Sequence, residues 1–263
     1  MIYETITLET DARGVARLTL NRPDKHNALN GKLIDELKHA ADALAIDNYV
    51  RVVILSGNGK SFCAGGDFNW FKGNAESDRA TRIRESSKLA HMLNVLNALP
   101  KPLIGRIQGS AYGGGVGMIS VCDIAVGVET ACFGLTEVRL GLIPANISPH
   151  VVSRIGAANS RATMLSGALF SAAKAEKIGL LNETVPADTL DARIDEIIDE
   201  HLEAALGAVG ETKRLIAFVD NHGIADNMIY AADRLADAWE TDEGKTGINS
   251  FLNKELPPWR SGK

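Results

Sequence analysis

At 263 residues the chain is long enough for one large domain, or for one domain with a helical appendage. It is 45% hydrophobic and 23% charged, as ordinary globular proteins are, and its net charge of −5 gives no basic footprint for nucleic acid or an anionic membrane. No apolar run reaches the length of a membrane span and the first residues lack a signal-peptide pattern, while the three cysteines (Cys63, Cys122, Cys132) lie in apolar settings, so a reduced, cytoplasmic location is expected.

In chain order, residues 2–8 and 15–20 alternate apolar and polar around Asp11-Ala12-Arg13-Gly14, which predicts a β-hairpin. Asn30 is placed to cap a helix whose Leu33, Ile34, Leu37, Ala41 and Leu44 form one apolar stripe. A strand is predicted over residues 51–55, then a glycine loop, then a polar stretch from Gly73 to Arg84. Leu89, Met92, Leu93 and Leu96 share the face of a further helix that ends before Pro100. Strands over 102–107 and 123–128 flank a second glycine loop, and residues 118–122 read as helix. From Pro149 onward the pattern is nearly all helix, over 158–165, 172–178, 190–206, 211–220 and 224–239. Alternating strands and helices followed by helices alone predict an α/β layered fold: a core over residues 1–200 and a C-terminal helical region over 201–263.

The two glycine loops carry the chemical signal. Gly113-Gly114-Gly115 sits at a strand-to-helix passage, where each glycine inside a helix costs about 1 kcal/mol relative to alanine. Ala64-Gly65-Gly66-Asp67 follows another strand. Two loops with exposed backbone N–H groups suit an oxyanion hole, in which one donor is typically worth about 3 kcal/mol in the transition state. Neither loop is a nucleotide fingerprint: Met118 stands where G-x-G-x-x-G needs its last glycine, and no G-K-[ST] occurs. No metal-ligand spacing is present, and backbone donors can do what a Lewis acid would.

Taken together these residues resemble the crotonase (enoyl-CoA hydratase/isomerase) superfamily over essentially the whole chain. Residues 22–29 look like its R-P-x-x-x-N-A-L segment, 64–67 like A-G-x-D, 109–115 like G-x-x-x-G-G-G, 133–137 like F-G-x-x-E, and 251–254 like F-x-x-K. The resemblance implies a spiral of repeated ββα units with a C-terminal helical trimerisation region, assembled as a homo-trimer or dimer of trimers. It implies an acyl-CoA thioester substrate and no cofactor, coenzyme A entering as part of the substrate. It assigns the oxyanion donors to the N–H groups of Gly66 and Gly114, and a catalytic carboxylate to Glu137. Contacts to substrate or CoA are implied for Arg22, Lys25, Ala28, Ala64, Gly65, Asp67, Phe251 and Lys254.

The reaction turns on the carboxylates. Family hydratases of the best-known kind use two glutamates, and here the first is replaced by Gly117. A lone glutamate resembles the Δ3-Δ2-enoyl-CoA isomerases. The context of Gly117, of residues 122–127 and of Ala145 after Ile143-Pro144 is instead similar to bacterial methylglutaconyl-CoA hydratases, enzymes of leucine catabolism. The expected activity is therefore hydration of a branched or dicarboxylic enoyl-CoA, with Gly117 leaving room for a substrate carboxylate; isomerisation, or acyl-CoA binding without turnover, are the alternatives. Cys63 reads as packing rather than nucleophile. His150 is a reserve candidate for proton transfer. Asn146 and Ser148 are read as shaping the acyl pocket, Trp70 and Phe71 as tunnel wall or core, and Asp67 as a support for its loop.

Overall fold

The structure, a computed structural model, describes residues 2–260; Met1 and the end of the expected C-terminal region, residues 261–263, lie outside them. The chain opens with an antiparallel pair, β1 (Ile6–Thr10) and β2 (Val15–Leu20). The helix α1 (Gly31–Ile46) follows, its first turn closed by the Asn30 side chain accepting from the Leu33 N–H at 2.9 Å. Its predicted stripe is buried. Each large side chain in it contributes about 1.5–3 kcal/mol relative to exposure.

Three successive units then repeat one pattern. In the first, β3 (Val52–Gly57) and β4 (Ser61–Cys63) precede α2 (Phe68–Glu76) and α3 (Arg79–Asn97). In the second, β5 (Leu103–Ile107) and β6 (Ser110–Tyr112) precede α4 (Gly114–Ser120). In the third, β7 (Ile124–Val128) and β8 (Cys132–Gly134) precede α5 (Ser148–Met164), which breaks at Gly156 (φ 74°, ψ 159°). The first strand of each unit joins a six-stranded sheet, ordered β1-β2-β3-β5-β7-β10, and the second joins a four-stranded sheet, ordered β4-β6-β8-β9. Within these, β3, β5 and β7 are parallel neighbours, as are β4, β6 and β8. This is the α/β crotonase spiral, with its buried core running from Ile6 to Ile198.

The all-helix expectation beyond Pro149 needs correction. The strand β9 (Phe170–Ser171) pairs antiparallel with β8, and β10 (Glu183–Val185), after the short α6 (Ala172–Lys177), pairs parallel with β7. Both are too short for a periodic signal; their partners define them. The stretch 73–84, read from sequence only as polar, covers the end of α2, the two-residue link and the start of α3. Only the later half of α3 buries an apolar face, so its first turns carry no stripe. The chain ends in α7 (Leu190–Leu202), α8 (Leu206–Asn221), α9 (Ile224–Glu240) and α10 (Asp242–Asn253). No helix of the described residues is long and apolar enough to cross a membrane.

Candidate active site

The spiral puts equivalent points of its three units side by side. Cys63 of β4 is level with Ala111 of β6, and Tyr112 with Gly134 of β8. Just past the carboxyl ends of these strands come Gly66, Gly114 and Glu137, and all three line one cavity of about 480 Å³. Carboxyl ends of parallel strands are the usual place for ligands in such sheets, because the chain there turns out of the layer.

The glycine loops meet across this end. Gly65 lies at φ +91°, and a Cβ on it would come 3.1 Å from the Tyr112 carbonyl. Gly113 lies at φ +49° just before α4, where an L side chain is strained, and a Cβ there would sit 2.9 Å from Glu137 Oε1. A strand-like bridge holds the first loop: the Leu29 N–H donates to Gly65 O at 2.7 Å, and the Asp67 N–H to Leu29 O at 2.8 Å. The Gly66 N–H between them has no acceptor among the described residues, and neither has that of Gly114, the first residue of α4.

Glu137 opens a 3₁₀ turn (Glu137–Leu140) directly after β8. Its Oε2 is buried without a hydrogen-bond partner among the described residues. Burial pushes its carboxyl above the ordinary carboxylate range, against a smaller opposing effect of its own backbone N–H. A buried carboxylate with a raised pKa is a stronger base than an exposed one.

The rest of the first loop is structural. Asp67 caps α2, accepting from the Asn69 N–H at 2.9 Å, and pairs with Arg22 at 2.9 Å. Burial alone would push the Asp67 carboxyl up, but hydrogen bonds from Arg22 and Asn69 hold it below its usual value. Arg22 also donates to the Ala28 carbonyl. It is thus turned inward as a clamp between residues 22–28 and the loop. Lys25 is exposed at the end of a 3₁₀ turn (Pro23–Lys25), and Ala28 is buried beside the Leu29 bridge; neither lines the cavity. Ala64 does line it.

Gly117 departs furthest from expectation. A Cβ there would lie 2.5 Å from Ile147 Cγ2 and 2.9 Å from Ile147 Cβ, so Ile147 fills the space a side chain at this position would enter, and Gly117 itself does not line the cavity. Trp70, Phe71 and Asn146 line the cavity, whereas Ser148 opens α5 and donates to Ala145 O. His150 lies in a separate depression with Arg154 and Asn182, away from Glu137. Cys63 is buried, its thiol pushed up to about 12 by desolvation, and is inert as a nucleophile. Phe251 and Lys254 are exposed on or just past α10 and do not line this cavity.

The enoyl-CoA hydratase/isomerase family model matches residues 10–262. The chain belongs to that family. Among solved structures, an enoyl-CoA hydratase from Shewanella pealeana is 33% identical with a TM-score of 0.94, covering 97% of this chain and 96% of its own. The Pseudomonas aeruginosa protein AtuE is likewise 33% identical with a TM-score of 0.94, covering 98% and 100%. The 2,3-dehydroadipyl-CoA hydratase of Escherichia coli is 32% identical over 94% of this chain and 95% of its own. Family membership thus rests on matches that span the whole spiral and the C-terminal helices.

One residue that sequence reasoning quoted but left without a role is Asn27. It is fully buried at φ +55°, and its amide donates to the carbonyls of Asn58, Ser61 and Phe62 at 2.9 to 3.1 Å. Its Oδ1 accepts from the Arg22 N–H. It pins the approach to the first glycine loop.

Proposed function

We propose that the protein is an enoyl-CoA hydratase working with a single carboxylate, Glu137, on a branched or dicarboxylic substrate such as 3-methylglutaconyl-CoA. The observation that carries this is the convergence, from three successive turns of the spiral, of two unpartnered N–H groups and one buried carboxylate on one cavity. In this reading the Gly66 and Gly114 N–H groups hold the thioester oxygen and draw electrons from the conjugated C=C bond. Ionised Glu137 takes a proton from water as the water oxygen bonds to the β-carbon. The electron pair of the C=C bond moves onto the thioester as an enolate, which Glu137 then reprotonates at the α-carbon. One water is added and the carboxylate is regenerated.

Ile147 in the place of a second carboxylate also favours Δ3-Δ2 isomerisation as a second reading, since one glutamate can carry a proton between two carbons. Incubation with 3-methylglutaconyl-CoA, crotonyl-CoA and a 3-enoyl-CoA, with products weighed by mass spectrometry, separates the two. A product heavier by one water from the first substrate supports the hydratase. Unchanged mass with a shifted double bond supports the isomerase, and turnover of none of the three would overturn both.

A further inference from the structure

The cavity wall made by α2 and α3 changes character along its length. Leu93, near the carboxyl end of α3, is buried behind the cavity, its Cδ1 3.5 Å from where a Cβ on Gly117 would sit. Leu89, Ser86 and Arg82 follow at helical spacing on the cavity side and grow progressively more exposed. Arg82 thus stands about 10 Å along the helix from Leu89, at 1.5 Å per residue. The Asn146 amide donates to Ser86 Oγ at 2.9 Å, making a polar rung midway.

Arg82 donates from Nε to Asn74 O and from Nη2 to Ala75 O, both at 2.8 Å, which closes the end of α2. Its Nη1 is unused, and no carboxylate among the described residues lies within salt-bridge distance. Of the acids nearest in sequence, Glu85 pairs with Lys88 at 3.3 Å and Asp78 is turned to the Thr81 N–H as the cap of α3. The indole N–H of Trp70, in the same wall, is buried without an acceptor. An apolar stretch leading to a cation that makes no ion pair among the described residues, its nearest negative charge being the cap Asp78, fits a chain that ends in a carboxylate.

We infer that Arg82, with the Ser86–Asn146 rung below it, forms a distal subsite that reads the terminal carboxylate of a dicarboxylic acyl thioester and sets specificity for it. The inference rests on the acyl-thioester reading of the cavity but not on the hydration step. Arginine is suited to the role because its planar fork holds a carboxylate while its charge survives partial exposure.

The test uses binding of saturated, unreactive thioesters to the intact protein by calorimetry: glutaryl-CoA and adipyl-CoA against pentanoyl-CoA and hexanoyl-CoA of matched length. The wild type is expected to prefer the diacids about 10-fold, the size of one charge-assisted contact. That preference should vanish in Arg82→Met. Should loss of the α2 cap unfold this variant, Arg82→Gln removes the charge while retaining a shorter amide donor for an α2 carbonyl, and the same loss is expected. A wild type without the preference, or a preference that survives both substitutions, overturns the subsite. Failure of both thioester classes to bind removes the acyl-CoA reading itself, and the subsite with it.

Discussion

Glu137 combines two demands that oppose each other. Its carboxyl is raised by burial, so the folded state holds a proton more tightly than the unfolded chain does. The ionised form therefore weakens the fold, fully so once the pH exceeds the raised folded value. Glu137→Gln is expected to raise Tm at pH 8, and the gain should shrink as pH falls through the folded pKa; an equal or lower Tm across that range contradicts the account. Asn27 works in the opposite sense. Asn27→Ala withdraws its donor from the Asn58 and Phe62 carbonyls, Ser61 O keeping Gln108, and is expected to cost about 1–3 kcal/mol in chemical denaturation. Gly117→Glu should fold poorly because its Cβ meets both Cγ2 and Cβ of Ile147, and Gly117→Glu with Ile147→Gly, which removes both atoms, should recover part of the loss. No recovery would mean that Ile147 is not what bars the second carboxylate. Much of this was legible in the chain: the loops around Gly66 and Gly114 could be placed from residue type and spacing, and the family resemblance singled out Glu137. The filling of the Gly117 site by Ile147, thirty positions away, could not, because only the packed fold brings them together.

Among the elements, the decisive feature is that β4, β6 and β8 end together and send their following residues into one cavity. The longer strands β3, β5 and β7 were readable from their apolar runs, whereas the three-residue β4, β6 and β8 were too short to be read as strands. The division between two sheets was not readable, since strand order depends on partners and not on local propensity. The Arg22–Asp67 pair fastens the segment before α1 to the start of α2 with both side chains largely buried. Arg22→Met is expected to cost about 1–3 kcal/mol at pH 7, because it leaves Asp67 without its counter-charge. Asp67 is held below its unfolded pKa, so the pair stabilises above that unfolded value and the contribution fades as pH falls through the folded one. The gap in stability between wild type and variant should close in acid. A gap independent of pH would show that the guanidinium acts by packing and its Ala28 contact alone.

The whole molecule carries an unusual amount of apolar surface on its last three helices. Ile216 on α8, Met228, Ile229 and Trp239 on α9, and Phe251 and Leu252 on α10 are all exposed. Scattered exposed apolar residues are normal, but a set this dense on adjoining helices is characteristic of an interface. The expected homo-trimer or dimer of trimers would cover it. Sedimentation equilibrium is expected to give a multiple of three protomers, and Trp239→Asp to shift the mass downward; a wild-type monomer would remove the trimer from the account. The apolar periodicity of these helices was plain in the sequence, yet it does not distinguish a private core from a shared one. Only their exposure in the folded chain makes that distinction.

The central claim, one carboxylate acting as base beneath two backbone donors, is tested most directly by the pH dependence of crotonyl-CoA hydration in wild type and Glu137→Gln. The account predicts a wild-type acid limb in kcat/KM above the ordinary carboxylate range, and a variant slower by about 10²–10⁴ that lacks this limb. A variant that keeps nearly full activity, or keeps the same limb, would contradict it.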